Sequence, residues 1–336
     1  MGQQASKPVV TVLGASGLLG RAITRELASR PIRLRLASRR TPVLPPDAEA
    51  SIELREVDLT ASGAVADVVA GSDAVIHLVA HRISGAASWR ASSVDPLGER
   101  VNLGLVHDVI DVLRRDRAKR PPVLLLAGSM SQTGRSALPR IDGSEPDRPL
   151  TVYDEQKLAG EKAILAATEA GVLRGSSLRL ATLFSQGTDF TGDDRGVVAA
   201  MMRRAFAGEP LTMWNNGSAK RDLLCVDDAA RAFVHALDEA GTVAGRPWLV
   251  GTGQATSVAE LFTMIAKVVS THTGEPPVPV VPAVSEEGPM ATDDMDFVLD
   301  PSAFQEAAGW SARVPLLEGL DKLAATVSRE SALGSN

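Results

Sequence analysis

Short runs of β-branched and aliphatic residues alternate with longer amphipathic stretches through the first half of the chain. The short runs have the length of strands, and the longer stretches repeat their apolar positions at helical spacing. This alternation is typical of a parallel sheet that carries helices on both faces. The predicted strands cover residues 9–13, 32–37, 52–57, 74–79, 123–127 and 177–180, and the predicted helices cover residues 18–29, 61–70, 97–116 and 152–170.

The pattern loosens after residue 180. A segment rich in Gly and Asp at residues 186–196 is followed by a predicted helix at 197–207 and a short strand at 211–214. An apolar run at residues 246–250 has the character of a strand that returns to the sheet. The change of pattern indicates that a second, smaller domain begins here.

We therefore predict an α/β protein with a Rossmann-type doubly wound parallel sheet and a smaller C-terminal α/β substrate domain. The first domain covers residues 8–180 and is completed by elements within 222–252, while the second domain occupies 181–330 apart from those returns. Within it, Ser257 and Glu260 have the spacing of a capping box, which predicts that a helix begins there.

Composition narrows the function classes. The 336 residues carry a formal charge of -6, which disfavours nucleic-acid binding because phosphates need clustered positive charge. Cys225 is the single cysteine, so an internal disulfide or a metal site with several thiolates is excluded, and its apolar neighbours favour a buried structural thiol. No apolar run approaches the roughly 18 residues that span a bilayer. We expect a soluble, cytoplasmic protein without a metal.

A glycine-rich turn links the first predicted strand to the first predicted helix, with the spacing GxxGxxG. Glycines here permit a tight turn, a close approach of the backbone to a pyrophosphate and close packing of the helix. The helix N-terminus adds free N–H groups and partial positive charge. We predict a dinucleotide site rather than a turn without function. The residues expected to contact the cofactor are Gly14, Ser16, Gly17, Leu18, Leu19 and Gly20.

Two arginines follow the second predicted strand, where a dinucleotide site selects its cofactor. NAD sites place a carboxylate about 20 residues beyond the glycine loop, where it binds the ribose 2′-hydroxyl. This chain has Ser38, Arg39 and Arg40 at that place. Guanidinium groups bind a 2′-phosphate through charge-assisted hydrogen bonds, whereas a carboxylate would repel it. The sequence favours NADP(H), and two merely solvated arginines are the alternative.

The only tyrosine of the chain, Tyr153, is followed four residues later by Lys157. On a helix both side chains project from the same face. A ketone that accepts a hydride needs a proton at its developing alkoxide, and a tyrosine can supply one although its reference pKa lies near 10. A neighbouring ammonium favours the phenolate and so lowers that pKa. The pair predicts a proton donor rather than an exposed surface pair.

Together, these motifs resemble the extended short-chain dehydrogenase/reductases over about residues 9–323. The resemblance implies that Lys157 also binds the nicotinamide ribose. It further implies that Ser129, just after the fifth predicted strand, polarises the substrate carbonyl by a hydrogen bond, with Ser131 as the alternative. Thr133 departs from the family, which usually has a tyrosine before the glycine at position 134.

The resemblance also assigns contacts at the ends of other strands. It implies adenine contacts at Asp58 and Leu59, and cofactor contacts at Leu78 and Ala80 in the segment that begins with His77. The sequence VNLG at residues 101–104 matches the family's VNxxG, in which the asparagine, here Asn102, supports the active site from a helix.

The second half resembles family members that act on nucleotide sugars, through residues 221–229 and the C-terminal segments 309–310 and 317–320. Residues 77–90 and 195–214 are more specifically similar to dTDP-4-keto-6-deoxyhexose 4-ketoreductases of antibiotic deoxysugar pathways. This likeness implies NADPH-dependent reduction of a dTDP-linked 4-ketosugar. It also makes Ser129 and Tyr153 substrate contacts, because both act on the carbonyl oxygen.

Two further residues enter as substrate contacts. Arg221 would bind the diphosphate, or alternatively form an interface ion pair with Asp222 or Asp227, and Trp214 would stack on the nucleobase. Cys225 stands where those relatives commonly have an aromatic residue or histidine, and Thr182 where sugar epimerases often have asparagine. The substrate contacts are therefore expected to differ from those of these relatives.

Other activities stay open at this stage. One alternative is a nucleotide-sugar epimerase or dehydratase that retains and recycles NAD. Met130 and Ser131 disfavour elimination, because a dehydratase needs acidic residues directly after the catalytic hydroxyl. A non-catalytic dinucleotide sensor would need neither Tyr153 nor Lys157. By analogy with such enzymes, the helices at 97–116 and 152–170 would pair in a homodimer.

Overall fold

The computed structural model describes residues 7–81, 95–116, 120–187, 194, 196–283 and 294–334. Its strands are β1 Val9–Leu13, β2 Arg33–Ser38, β3 Ser51–Glu56, β4 Ala74–His77, β5 Val123–Ser129, β6 Arg174–Leu180, β7 Thr182–Phe184, β8 Leu211–Met213, β9 Lys220–Arg221, β10 Leu223–Cys225, β11 Pro247–Val250, β12 Thr256–Ser257 and β13 Val280–Pro282. Its α-helices are α1 Leu18–Ala28, α2 Ala64–Val69, α3 Pro96–Glu99, α4 Leu105–Arg115, α5 Val152–Glu169, α6 Val197–Phe206, α7 Val226–Asp238, α8 Ala240–Val243, α9 Val258–Thr273, α10 Ser302–Ala308 and α11 Leu316–Gly334.

Seven parallel strands form the central sheet in the order β11-β6-β5-β4-β1-β2-β3. In its middle, Val10 of β1 is in register with Leu34 on one side and Ala74 on the other. The strand order reverses between β1 and β4, and open α/β sheets bind ligands at such a switch point, beyond the carboxyl ends of the strands. The predicted doubly wound sheet is confirmed, and β11 is the predicted returning strand.

The middle of this sheet is buried on both faces. Val12 belongs to the apolar cluster that includes α1 and α7, whereas the next residue, Leu13, belongs to the cluster that includes α2, α4 and α5. Burial on both sides explains why the central strands β1 and β4 are apolar at most positions instead of alternating. The ion pair Arg25–Asp227 also joins α1 to α7, and Arg30, just after α1, pairs with Asp238 at the end of α7.

The helix predicted at residues 97–116 is not continuous. A π-helical turn at Arg100–Gly104 separates α3 from α4, and Asn102 lies buried within it. The Asn102 amide accepts from His81 N at 2.8 Å and donates to Gln156 Oε1 at 2.8 Å. A π turn inserts one extra residue and so changes the direction in which side chains point. Here it accompanies a buried amide that joins three segments.

A third apolar cluster lies among α6, α9 and α11. Cys225 belongs to it and is fully buried, so the predicted buried thiol is confirmed. Burial raises the pKa of this thiol to about 12. The predicted capping box is also present, since Ser257 and Glu260 exchange side-chain-to-backbone bonds at 2.8 and 3.2 Å. The boundary between domains at residue 180 stays a prediction.

Within the described ranges, no helix is both long enough and apolar enough to cross a bilayer.

The packing of α1 on the glycine turn generates a stability prediction. A Cβ atom at Gly20 would lie 2.2 Å from the carbonyl oxygen of Gly14, whereas nothing lies within 4 Å of one at Gly241, in helix α8. Gly20→Ala should therefore lower the free energy of unfolding by about 1–3 kcal/mol in urea titrations. Gly241→Ala is the matched control and should be neutral or slightly stabilising. Equal stability of the two variants would contradict this account of the turn.

Candidate active site

The glycine turn leaves β1 at the switch point and enters α1. Gly14 has a φ of 91°, a conformation that favours glycine, and the N–H groups of Gly14 and Ala15 both donate to Ala37 O of β2, at 2.8 and 3.2 Å. Gly17 is the N-cap of α1, and no side chain of the described residues caps it. The turn thus presents an uncapped helix N-terminus and small residues, an arrangement that fits a dinucleotide pyrophosphate.

The predicted selectivity residues lie at the end of β2. The Ser38 hydroxyl is buried and donates to Arg40 O at 2.6 Å, and the side chains of Arg39 and Arg40 are exposed. Across the sheet edge, bonds from Thr60 and the charge of Arg39 lower the pKa of the Asp58 carboxyl. The two arginines therefore lie at the end of β2, near the switch point. Residues 38–40 at this end of the strand include no carboxylate.

The segment after β4 lies against the glycine turn. The N–H of Leu78 donates to Leu13 O at 3.0 Å, and a side chain at Gly14 would meet Val79 N at 3.3 Å. His77, at the end of β4, is fully buried, and burial followed by the charge of Lys157 lowers its pKa to about 3. His77 is therefore uncharged near neutral pH, and it directly precedes this segment at the end of β4. Leu59, after β3, is also buried, whereas Ala80 is exposed.

Tyr153 and Lys157 lie on successive turns of α5. The Lys157 ammonium is buried, donates to Ala127 O at 3.0 Å and lies 5.8 Å from the centroid of the Tyr153 ring. The bond to the β5 carbonyl holds the ammonium at the sheet edge. The two side chains therefore share a face, and that face turns toward the end of β5.

Ser129 ends β5 and opens a short 3-10 turn at Met130–Thr133. Its hydroxyl lies 2.6 Å from that of Ser131, and the Ser131 hydroxyl donates to the Asp154 carboxylate of α5. The two candidate serines are therefore hydrogen-bonded to each other. Ser131 is also bonded to the carboxyl group of Asp154, which the sequence did not point to. The signal was weak, because Asp154 is remote from Ser131 in the chain and merely follows Tyr153.

A buried polar network supports the same turn from below. Gln132 accepts from Ser129 N at 2.7 Å and donates to Glu161 of α5 at 3.1 Å. Arg179 of β6 pairs with Glu161 and, at 2.6 and 2.8 Å, with Asp147. The two carboxylates raise the pKa of Arg179 against the opposing effect of burial. Sequence analysis did not identify this network, since its members come from four separate segments.

The predicted substrate contacts lie farther along the chain. Arg221, in β9, donates to the carbonyls of Lys220 and Met295, and its guanidinium carbon is 5.4 Å from the Phe297 ring. Trp214 is half-buried in the turn that follows β8. The carboxylates proposed as alternative partners of Arg221 have other contacts: Asp222 accepts from Thr252 and Asp227 pairs with Arg25. Residues 82–90 and 195 of the substrate-related segments lie outside the described residues.

Known proteins resemble this chain over most of its length. The sequence profile of the NAD dependent epimerase/dehydratase family matches residues 10–251. The chain is 27% identical to a dTDP-L-rhamnose 4-epimerase of Burkholderia thailandensis over 96% of its length and 95% of the relative's. It is 26% identical to a dTDP-6-deoxy-L-talose 4-dehydrogenase (NAD(P)(+)) of Kitasatospora kifunensis, with 94% of each chain covered.

A third relative is 2'-dehydrokanamycin reductase of Streptomyces kanamyceticus, 27% identical over 68% of this chain and 57% of that protein. Among solved structures, MoeE5 in complex with UDP-glucose and NAD superposes with a TM-score of 0.77 at 25% identity, covering 97% of this chain and 99% of MoeE5. A UDP-glucose 4-epimerase of Thermotoga maritima shares the fold with a TM-score of 0.79 at 20% identity, covering 96% and 99% of the two chains.

The buried network below Ser129 generates a second prediction. Gln132→Ala should leave the Ser129 N–H without its side-chain partner, at a cost of about 1–3 kcal/mol, while the Glu161 carboxylate keeps its bonds to Arg179. We expect a lower free energy of unfolding in urea titrations. Gln254→Ala removes an exposed glutamine and should change stability by less than about 0.5 kcal/mol. A Gln132→Ala variant as stable as this control would show that the network does not hold the turn.

Proposed function

The chain belongs to the NAD dependent epimerase/dehydratase family, and we propose that it is an NADPH-dependent reductase of dTDP-linked 4-keto-6-deoxyhexoses. The observation that carries the proposal is the Lys157 ammonium, buried against Ala127 O and 5.8 Å from the Tyr153 ring, on the face that meets the Ser129 turn. This arrangement supports proton donation to a carbonyl oxygen at the sheet edge. A cofactor site without catalysis needs none of these groups.

The proposed chemistry requires a hydride, a proton and a polarised carbonyl. When bound, the reduced nicotinamide supplies the hydride, with its two electrons, to the carbonyl carbon. The Tyr153 hydroxyl transfers its proton to the carbonyl oxygen, which completes the alcohol and leaves a phenolate. Lys157 favours this phenolate by its positive charge and holds the nicotinamide ribose, while Ser129 hydrogen-bonds the substrate oxygen.

NADPH is the proposed reductant because of Arg39 and Arg40. Both side chains are exposed at the carboxyl end of β2, next to the glycine turn that a dinucleotide would occupy. Ser38 provides a small neutral side chain between the turn and the arginines. A consumed cosubstrate suits a reductase, whereas an epimerase keeps its NAD bound and returns the hydride to the same sugar.

The substrate class rests on the names of relatives that cover most of the chain. Two of them act, by name, on dTDP-linked 6-deoxysugars at carbon 4, and a third is a reductase. On this proposal Arg221 binds the diphosphate and Trp214 stacks on the nucleobase. The Met295 carbonyl and the Phe297 ring, which contact the Arg221 guanidinium, would hold it in place for that role.

An epimerase that retains NAD is the second candidate, favoured by the name of the Burkholderia relative. Both reactions use the same tyrosine and lysine, so site geometry does not separate them. Net consumption of NADPH distinguishes the reductase from the epimerase, because the epimerase oxidises and then re-reduces its own substrate. Measuring NADPH oxidation therefore distinguishes the two reactions.

The cofactor proposal predicts selective binding. NADPH should bind more tightly than NADH, and Arg39→Gln or Arg40→Gln should weaken NADPH alone, by roughly 1–3 kcal/mol for a charge-assisted contact. Arg33→Gln is the control, since this exposed arginine lies at the opposite, amino end of β2. Dissociation constants from fluorescence or calorimetry measure both effects. Equal affinity of the unaltered protein for the two cofactors would contradict NADP(H) selectivity.

The activity proposal predicts that NADPH is oxidised stoichiometrically with dTDP-4-keto-6-deoxyglucose or its 2- or 3-deoxy analogues, giving a 4-hydroxy sugar nucleotide. Several ketosugars are needed because a missing hydroxyl partner can cost orders of magnitude in specificity. Tyr153→Phe should still bind NADPH but turn over about 100-fold more slowly, because it lacks the proton. An isomerised or dehydrated product without net NADPH oxidation would instead establish the epimerase or dehydratase reaction.

A further inference from the structure

Asp154 is a buried carboxyl group that the proposed hydride transfer does not use. Its exposed fraction is 2%, and each of its two oxygens faces a hydroxyl group. Ser131 donates to Oδ1, and Thr151, the N-cap of α5, donates to Oδ2 at 2.6 Å. Because Ser131 is also bonded to Ser129, the carboxyl group is two hydroxyls away from the proposed substrate oxygen.

The protonation state of Asp154 determines the direction of the hydrogen bonds that connect it, through Ser131, to Ser129. An ionised carboxylate only accepts, so it takes the single hydrogen of Ser131. The 2.6 Å contact between the two serines then requires the hydrogen of Ser129, which leaves Ser129 with no hydrogen for a substrate. Such a hydroxyl presents a lone pair, which suits an alcohol and repels a carbonyl oxygen.

A protonated Asp154 carboxyl group reverses the hydrogen bond between Asp154 and Ser131 and the one between Ser131 and Ser129. Its hydrogen goes from Oδ1 to Ser131, the Ser131 hydrogen goes to Ser129, and the Ser129 hydrogen becomes free to donate to a carbonyl oxygen. Thr151 still donates to Oδ2, so no bond is lost in the reversal. Both states therefore satisfy all four groups, and they differ in what Ser129 offers to the substrate.

We propose that Asp154 is a positioning residue that sets, through Ser131, whether the Ser129 hydroxyl donates to or accepts from the substrate oxygen. The inference rests on the proposed reduction, in which Ser129 must donate to a ketone. Asp154 thereby acts on the reaction without contacting substrate or cofactor, and reduction requires its protonated form.

The surroundings of Asp154 support such a switch. Burial raises the pKa of its carboxyl, and the charge of Glu155, next along the helix, raises it further, while the neutral hydroxyls of Ser131 and Thr151 partly lower it. Lys157, on the same helix, directs its ammonium to Ala127 O. The net pKa lies above that of an ordinary aspartate, so reduction should decline as the pH rises through this raised value.

The Asp154→Asn variant tests the direction of the hydrogen bonds from Asp154 through Ser131 to Ser129. The amide can donate Nδ2–H to Ser131 and accept from Thr151, which is the pattern of the protonated carboxyl. In the unaltered enzyme, kcat/KM for ketone reduction should fall about tenfold per pH unit above the pKa of Asp154. In Asp154→Asn this limb, the decline in kcat/KM that the titration of Asp154 causes, should disappear. Glu155→Gln removes an exposed neighbouring charge that raises the pKa of Asp154, so this variant should keep the limb and shift it to lower pH.

Ser131→Ala provides a readout that needs no turnover. It removes a bond that lowers the pKa of Asp154, so the carboxyl should titrate at a higher pH. Infrared difference spectra report this through the C=O band of the protonated acid, identified by its absence in Asp154→Asn. Circular dichroism and NADPH binding check that the variants fold.

The proposal would be overturned if kcat/KM of Asp154→Asn declined with pH as it does in the unaltered enzyme. It would also be overturned if the carboxyl band titrated at the same pH in Ser131→Ala as in the unaltered enzyme. Failure of the proposed function is distinct, because it appears as an absence of NADPH oxidation by the unaltered enzyme with every ketosugar.

Discussion

The parallel direction of all seven strands is the constraint on which the site depends. In a parallel sheet every carboxyl end reaches the same edge, so segments distant in the chain meet there. The glycine turn leaves β1, Ser38 ends β2, Leu78 follows β4 and Ser129 ends β5. One edge therefore brings together the proposed pyrophosphate site, the proposed selectivity position and the hydroxyl proposed to bind the substrate carbonyl.

Helix α5 contributes buried ionisable groups to the same edge. Asp154, Lys157 and Glu161 are spaced three and four residues apart, so they lie on one face of the helix, and each is almost fully buried. Buried charges are costly without partners. Here Asp154 has two hydroxyls, Lys157 a strand carbonyl and Glu161 an arginine. These partners all come from the sheet edge or its loops, which ties the helix position to the geometry of Ser129.

The sequence revealed the parts of the site that are local in the chain. The glycine turn and the Tyr153–Lys157 pair follow from spacing and from the chemistry of single residues, and the strands followed from two-sided burial. Contacts between remote segments were not accessible in this way. Asp154 was overlooked beside Tyr153, the pairing of Glu161 with Arg179 spans 18 residues, and the π turn at Asn102 depends on buried partners that a helical pattern does not reveal.

Hydride transfer from an external cofactor to a sugar carbon is the central claim, and an isotope label follows it directly. With NADPH deuterated at the transferring position of C4 and a dTDP-4-ketosugar, mass spectrometry and NMR should find one deuterium per product, at carbon 4 of the sugar. A product without deuterium, formed while the labelled NADPH stays unconsumed, would contradict the account and show that the hydride comes from the sugar itself.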